Sequence, residues 1–180
     1  EACRHRGATV FPRILDVTDL RACKRWVAGS DREHLLDLVI ANAGVSAGAG
    51  GKEENAEQAR HIFAVNVEGV LNTVLPVLPF MRARHRGQIA IVSSVASFLG
   101  MPWAPAYCAT KAAIRIWGEA LRGHLFPDGV EVSVICPGFV RSRMTIDNPH
   151  PMPFLMDSAK AARIIRKGLE RNKPRITFPW

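Results

Sequence analysis

The sequence lacks several features that would place it in a common class of protein. No run of about eighteen apolar residues appears, and no apolar segment follows the charges of residues 1–6, so neither a spanning helix nor a secretory signal is visible. The four cysteines show no Cys-x-x-Cys spacing, and the six histidines show no pairing at metal-ligand spacing. We therefore expect a cytoplasmic protein with reduced thiols and no metal site.

The charge is unbalanced, with 24 Lys and Arg against 16 Asp and Glu and a net charge of +8. The densest basic stretch, residues 160–175, carries apolar residues at helical spacing with its cations mostly on the other side. This pattern predicts the solvated face of a packed helix. Membrane association through this helix is a minor alternative, and nucleic acid is not an expected partner because no aromatic stacking residues are interleaved.

Strand and helix patterns alternate along the 180 residues, a length that suits a single domain over residues 1–180. Pro76 and Pro79 should bend the longest helix, and Pro105 should open the next one. The alternation predicts an α/β fold with a doubly wound parallel sheet and helices on both faces. Strands are predicted at 9–15, 35–41, 88–94, 130–136 and 175–178, and helices at about 19–30, 54–84, 105–125 and in the basic stretch.

Tyr107 is the only tyrosine in the chain, and Lys111 follows it at the spacing that places two side chains on one helix face. A phenol titrates near ~10, and a nearby cation favours the phenolate. The pair thus predicts a tyrosine with a lowered pKa that exchanges protons. Ser94, after the preceding strand, could hold a carbonyl oxygen beside the phenol.

Five ordered elements resemble the short-chain dehydrogenase/reductase family, whose fold is of the Rossmann type. A lone Tyr-x-x-x-Lys arises by chance on any helix, whereas five matches at the family's spacings over most of the chain do not. The matches are Asn42-Ala43-Gly44 after a strand, Asn66 with Gly69 in a long helix, Ser94 after a strand, Tyr107-x-x-x-Lys111, and Pro137-Gly138-Phe139-Val140 after the next strand.

The resemblance implies a role for each matching residue. Tyr107 would be the catalytic acid/base, Ser94 would bind the substrate carbonyl, and Lys111 would lower the pKa of Tyr107 and hold the nicotinamide ribose. Asn66 would anchor a water that links Lys111 to solvent. The cofactor-binding residues implied, besides Tyr107 and Lys111, are Asp16 and Val17 at the adenine, Asn42, Ala43 and Gly44 at the ribose, and Pro137, Gly138, Val140 and Ser142 at the nicotinamide and pyrophosphate.

Several of these residues have simpler interpretations. Asp16 is equally a helix-start residue, and Ser94 taken alone is equally a strand-end hydroxyl that caps a turn. The segments 42–44 and 137–138 have the composition of ordinary turns.

The glycine-rich turn with which the family begins is missing, since Gly7 is the only glycine before Gly29. The strand at 9–15 matches the family's third strand, so the first βαβ elements would be absent and the sheet would have a gap. We expect the ordered part of a longer chain, or a fragment, rather than a natural truncated relative, because an exposed parallel edge invites aggregation. The end at Pro179-Trp180 also indicates an incomplete chain, and these 180 residues alone are expected to bind a nicotinamide cofactor weakly or not at all.

The segment 144–156 matches the family's substrate loop. Its apolar residues, with Met101, Trp103 and Phe139, suit either a lid over an apolar carbonyl substrate or a surface loop packed on the domain. The helices at 54–84 and 105–125 resemble those that pair across the family's dimer interface, with Phe80, Trp117 and Leu121 either there or facing the sheet.

The sequence therefore predicts an NADP- or NAD-dependent oxidoreductase, with a slight preference for NADP from the positive charge, that interconverts a carbonyl and a secondary alcohol. We expect it to form a homodimer or homotetramer. The alternative is a non-catalytic relative whose helices serve oligomerisation or partner binding.

Overall fold

The computed structural model describes residues 3–46, 54–146, 148 and 150–179. Its sheet has four strands in the order β1-β2-β3-β4, and every neighbouring pair is parallel. The predicted α/β fold with a parallel sheet is confirmed. The strands are β1 Leu38–Ala41, β2 Gly87–Val92, β3 Val130–Pro137 and β4 Arg175–Phe178.

Helices alternate with these strands, and their starts follow local sequence signals. The first begins after Asp19, whose side chain accepts a hydrogen bond from the backbone N–H of Ala22 at 2.9 Å. The fifth begins at Pro105, as predicted. The α-helices are α1 Leu20–His34, α2 Ala56–Phe63, α3 Gly69–Val74, α4 Leu78–Ala83, α5 Pro105–Leu125, α6 Arg143–Ile146 and α7 Ser158–Glu170.

The helix predicted over 54–84 is interrupted twice. A π-helical turn, Ala64–Glu68, separates α2 from α3, and a turn around Pro76 separates α3 from α4. The break at Pro76 follows from the N–H that proline lacks, and Pro79 is accommodated in the first turn of α4. The π turn was not predicted, because the apolar periodicity does not reveal one extra residue in a turn.

By length and composition, the helical stretch Ala56–Ala83 could cross a membrane, with 28 residues and a mean hydropathy of 1.5. Four of its apolar side chains, Val70, Val74, Val77 and Met81, are instead buried in the cluster that covers the sheet. A core helix satisfies the same test, so this stretch by itself does not indicate a membrane span.

Two apolar clusters cover the two faces of the sheet. The larger cluster joins β1, β2 and β3 to α1, α3, α4 and α5, with Ile89 and Ile91 of β2 at its centre. The smaller cluster joins Ala90 and Ile135 to α7 and β4. Helices therefore flank both faces of the sheet, as the doubly wound prediction requires.

The first predicted strand is wrong, because residues 8–16 are not hydrogen-bonded into the sheet. Phe11 is 66% exposed and Ile14 is fully exposed. A strand requires a neighbouring backbone to pair with, and the described residues provide none beside this segment. The expected gap in the sheet does not occur, since the segment lies outside the sheet.

A strand of a doubly wound sheet is expected to be buried on both faces, but β1 is buried on one face only. Val39 and Ala41 are buried under the helices, whereas Leu38 and Ile40, on the other face, are 38% and 47% exposed. The smaller cluster, which packs against α7, contains residues of β2, β3 and β4 but none of β1. The sheet is therefore covered on one face only at its β1 edge.

A buried ion pair fixes the C-terminal end of α1. Asp31 is 2% exposed, and its Oδ2 lies 2.8 Å from Nη1 of Arg84. Its Oδ1 accepts from the N–H of Leu36 at 3.0 Å, and Arg84 donates to the carbonyl of Leu36 at 2.7 Å. The connection between α1 and β1 is thereby joined to the residue that follows α4.

Candidate active site

The candidate site forms where β2 and β3 end and α5 begins. The hydroxyl of Ser93, one residue after β2, donates to the carbonyl of Lys111 at 2.8 Å. The hydroxyl of Ser94 lies 3.5 Å from the carbonyl of Pro137, the last residue of β3. These contacts fix α5 relative to the carboxyl ends of two neighbouring strands.

Tyr107 lies in the first turn of α5, and the side chain of Ser94 is near enough to its phenol to influence the pKa of Tyr107. Burial raises the pKa of Tyr107, and Ser94 partly opposes this effect. The raised pKa is opposite to the direction predicted from Lys111. The ammonium lies 5.8 Å from the ring centroid, and removal of the phenol from water dominates.

Lys111 is 4% exposed, and its Nζ donates to the carbonyl of Val92, the last residue of β2, at 2.9 Å. Burial lowers the pKa of Lys111 to about 8. Among the described residues, no carboxylate pairs with this ammonium. Because an ammonium has three N–H groups, two remain for a bound molecule.

Asn66 lies in the π turn and is fully buried. Its Nδ2 donates to the carbonyl of Val45 at 2.9 Å and to Oγ1 of Thr110 at 3.1 Å, and its Oδ1 accepts from the N–H of Val45 at 2.8 Å. The side chain therefore joins the segment after β1 to α5. The predicted role of Asn66 in anchoring a water stays a prediction.

Gly44 brings the segment 42–44 to this centre. A Cβ on Gly44 would lie 3.3 Å from both Oδ1 of Asn66 and Nζ of Lys111. The backbone therefore passes close to the ammonium at a position where a side chain would crowd it. Asn42 and Ala43, the residues before it, are exposed.

The predicted adenine residues are held beside α3. Asn72 donates to the carbonyl of Val17 at 2.9 Å, and a Cβ on Gly69 would lie 2.7 Å from Val17 Cγ2. Asp16 is exposed, and its Oδ1 accepts from the N–H and the hydroxyl of Thr18 at 2.9 Å. The backbone bond from Thr18 lowers the pKa of Asp16. Asp16 therefore organises the turn, whereas Asp19 is the residue that caps α1.

The predicted nicotinamide segment leaves β3 and is braced by its neighbours. The N–H of Gly138 donates to the carbonyl of Phe178 at 2.7 Å, and Val140 forms a parallel bridge with Met156. Ser142 is exposed and lies outside the core. Within the described part of the chain, the direct link from this segment to the tyrosine centre is the carbonyl of Pro137 beside Ser94.

The predicted substrate loop divides into two parts, with residues 147 and 149 outside the described residues. Met156 packs in the smaller apolar cluster and bridges Val140, which agrees with the alternative of a surface loop packed on the domain. Phe154 is 80% exposed. His150 is half-buried and stacks on Trp103 with 4.8 Å between ring centroids.

The sequence did not indicate three residues that support the site. Ser93 and Thr110 hold α5 through Lys111 and Asn66. Glu54 accepts a hydrogen bond from the N–H of Ala106 at 2.7 Å. Ser93 and Thr110 adjoin predicted residues, whereas Glu54 is far from α5 in sequence and has no motif around it.

A nicotinamide cofactor fits one part of this arrangement. Lys111 has two N–H groups for the ribose hydroxyls, and Gly44 leaves space beside its ammonium. Residues 1–28 contain no glycine-rich turn for the pyrophosphate, and the glycine-rich residues 44–51 lie mostly outside the described residues. The described residues thus fit the nicotinamide half of the cofactor.

The parallel sheet and the Ser94, Tyr107 and Lys111 centre are consistent with a single class of enzyme, and sequence comparison agrees. Residues 1–152 match the family described as short chain dehydrogenase. The chain therefore belongs to the short-chain dehydrogenases, a family of oxidoreductases.

Comparison with individual relatives shows how much of their length this chain spans. An uncharacterised oxidoreductase of Myxococcus xanthus is 42% identical over 97% of this chain and 69% of its own length. An uncharacterised oxidoreductase of Mycobacterium tuberculosis is 30% identical over 92% of this chain and 66% of its own. The crystal structure of apo LigD from Sphingobium matches 99% of this chain and 72% of its own, at 29% identity and a TM-score of 0.79. The chain thus spans about two thirds of these proteins.

Proposed function

We propose that this chain carries the proton-transfer centre of a nicotinamide-dependent oxidoreductase that interconverts an apolar carbonyl compound and a secondary alcohol. The observation that supports the proposal is the position of the Ser94 hydroxyl near the phenol of Tyr107, where it lowers the pKa that burial raises. Two neighbouring hydroxyl groups offer a carbonyl oxygen two hydrogen bonds, and one of them belongs to an acid.

Ser94 and Tyr107 divide the work on the substrate oxygen. Ser94 donates a hydrogen bond that orients the carbonyl. Tyr107 gives its proton to the oxygen as negative charge develops there, and Lys111 holds the ribose side of the site. With its pKa raised by burial, the phenol is protonated at neutral pH, and this is the form that gives a proton to the oxygen during reduction. A reduced nicotinamide supplies the hydride when it is bound.

NADP and NAD both remain compatible with the described residues, and the net charge of +8 slightly favours the extra phosphate of NADP. In this proposal the adenine lies at Asp16 and Val17, and the ribose lies at residues 42–44. The segment Pro137, Gly138, Val140 and Ser142 faces the nicotinamide and the pyrophosphate.

We also propose that the protein is a cytoplasmic homodimer or homotetramer. The outer face of α5 supports this proposal, because Ala109, Ala113, Ile116 and Ala120 are exposed at spacings of three and four residues. Trp117 and Leu121, by contrast, pack against the core. Ile116→Arg should halve the mass measured by sedimentation if α5 pairs with a second copy, and an unchanged mass would contradict this interface.

The rival function is oligomerisation or partner binding without catalysis. The open face of β1, with Leu38 and Ile40 exposed, favours it. Titration of the purified chain with NADPH, followed by cofactor fluorescence, tests the enzyme. Saturable binding supports the enzyme and contradicts the rival.

The proton-transfer role is tested by Tyr107→Phe, which removes a single oxygen. With NADPH and a panel of apolar ketones, turnover should fall by roughly 10²–10⁴-fold while NADPH binding is unchanged. Equal turnover in the two proteins would contradict the role of Tyr107.

A further inference from the structure

The helix that carries Tyr107 and Lys111 has no cap of its own. Its N-cap residue is Ala104, which provides no side-chain acceptor, and no acidic residue lies in its first turn. The free N–H groups of a helix start nevertheless require acceptors when they are shielded from water. The N–H of Ala104 donates to the carbonyl of Met101, and the N–H of Cys108 donates to the carbonyl of Ala104, both at 3.0 Å. Pro105 has no N–H.

The remaining two donors in this turn converge on one distant carboxylate. Glu54 Oε2 accepts from the N–H of Ala106 at 2.7 Å, and Oε1 lies 3.5 Å from the N–H of Tyr107. The first is a short, charge-assisted bond and the second is long. A carboxylate at this end of a helix also interacts favourably with the positive end of the helix dipole. Glu54 thus completes the first turn of α5.

Glu54 is itself fixed by the start of α2. The next residue, Asn55, is the N-cap of α2 and forms a reciprocal capping box with Gln58, with bonds of 2.9 and 3.0 Å. The helix that begins here continues through the π turn to Asn66 and packs against α5. The carboxylate therefore connects the helical segment of Asn66 to the turn of Tyr107.

We propose that Glu54 is a positioning residue, whose carboxylate holds the first turn of α5 so that the phenol of Tyr107 meets the hydroxyl of Ser94. The inference rests on the proposed function of Tyr107. Glu54 acts through the backbone and touches neither substrate nor cofactor in this role. A displacement of about 1 Å at a reacting group can lower turnover by roughly 10²-fold, so a backbone cap at this turn has a catalytic consequence.

The single tyrosine gives the test a readout that does not depend on activity. Absorbance of the phenolate reports only Tyr107, because the chain has no other tyrosine. The groups that face the phenol are Ser94, Lys111 and the thiol of Cys108, with Glu54 at the backbone. Loss of Glu54 should loosen the turn, which admits water to the phenol but also weakens its contact with Ser94. Because burial is the larger of the two effects on the pKa of Tyr107, the pKa of the phenol should fall.

Three variants of the whole chain are compared by phenolate absorbance and by amide hydrogen exchange. Glu54→Ala should lower the titration midpoint and speed exchange at Ala106 by roughly tenfold. Glu54→Gln, which keeps one acceptor, should restore most of the exchange protection and should fold even where Glu54→Ala does not. Glu57→Gln, an exposed glutamate one position inside α2, is the matched control and should change neither.

Unchanged exchange at Ala106 and an unchanged midpoint in Glu54→Ala would overturn the inference. Turnover separates it from the proposed function. If Tyr107→Phe lowers turnover and Glu54→Ala does not, the positioning role fails and the function stands. If Tyr107→Phe has no effect, the function fails, whereas exchange at Ala106 still shows whether Glu54 caps α5. A lower kcat with an unchanged KM for NADPH in Glu54→Ala is the result expected.

Discussion

The sheet has a covered side, around β2, β3 and α5, and an open side, at the β1 edge, where helices cover one face only. Around β2, β3 and α5, helices pack on both faces, and hydrogen bonds join Lys111 to the end of β2 and Asn66 to the segment after β1. At the β1 side, Leu38 and Ile40 face outward and residues 8–16 pair with no strand. The proton-transfer centre is thus assembled on the covered side, whereas the predicted adenine residues lie on the open side.

This contrast explains why the two halves of a cofactor site differ here. The residues that fit a nicotinamide ribose are buried and have fixed partners. Asp16 and Asn42, assigned to the adenine half, are exposed. Each prediction below tests one side of the molecule against a matched position on the same or the other side.

The largest effect is expected where the open side is joined to the rest of the fold. Arg84→Met leaves Asp31 buried without its ion-pair partner, and unfolding free energy should fall by about 3–5 kcal/mol. Arg86→Met removes a pair with Asp37 that is 76% and 71% exposed, and should cost no more than about 0.5 kcal/mol. Urea unfolding measures both. Equal costs would mean that α1 is held by other contacts.

Lys111 tests the covered side through pH. Burial lowers its pKa from 10.5 to about 8, which corresponds to about 3 kcal/mol at about 1.4 kcal/mol per unit. Lys111→Met removes this penalty but leaves the carbonyl of Val92 without its donor, so a net gain of about 2 kcal/mol is expected at neutral pH.

The sign of the pH dependence follows from proton binding. Between pH about 8 and 10.5 the unfolded chain binds more protons at Lys111 than the folded chain, so wild-type stability rises with pH in this window. The advantage of Lys111→Met should therefore be complete below about pH 8 and shrink above it. Urea unfolding across this range is the measurement, and a variant less stable than wild type at pH 7 would contradict the burial penalty.

Close packing of α5 on the sheet is tested at a glycine. A Cβ on Gly118 would lie 2.7 Å from Val134 Cγ2 and 2.9 Å from Ile91 Cδ1, so Gly118→Ala should cost about 1–3 kcal/mol. Gly123, on the same helix, has open space around it. Gly123→Ala should stabilise the protein by about 0.5–1 kcal/mol through helix propensity. Thermal unfolding of the pair decides, and two effects of the same sign would refute the packing.

The smallest effect is expected on the uncovered face of β1. Ile40 is 47% exposed, so Ile40→Thr should change unfolding free energy by less than about 0.5 kcal/mol and should reduce self-association. Ile91→Thr, at a fully buried position of the adjacent strand β2, should cost several kcal/mol. Comparable losses at the two positions would mean that the outer face of β1 is covered in solution.

Most of the fold followed from local patterns in the sequence. The continuous apolar runs of β2 and β3 are buried on both faces, and Pro105 marks the start of α5. The pattern at 9–15 is as apolar as a strand but has no neighbour, and pairing depends on the rest of the sheet rather than on the segment itself. Whether the outer face of β1 is covered likewise depends on the rest of the fold rather than on the strand itself.

The candidate site was predictable where a motif reports it. Helical spacing indicated Tyr107 and Lys111, the family resemblance indicated Ser94 and Asn66, and the structure brings the four residues together. The direction of the pKa shift of Tyr107 was not predictable, because it depends on how deeply the phenol is buried. Glu54 was missed because its partner is a backbone N–H of a distant helix, for which no side-chain pattern exists.

The account's central claim is that the phenol of Tyr107 is already buried against Ser94 in this chain. Absorbance titration of the single tyrosine tests it directly, in the native protein and in denaturant. The native midpoint should lie above that of the unfolded chain and should rise further in Ser94→Ala, since Ser94 lowers the pKa of the phenol. A native midpoint equal to that of the unfolded chain, and unmoved by Ser94→Ala, would contradict the claim.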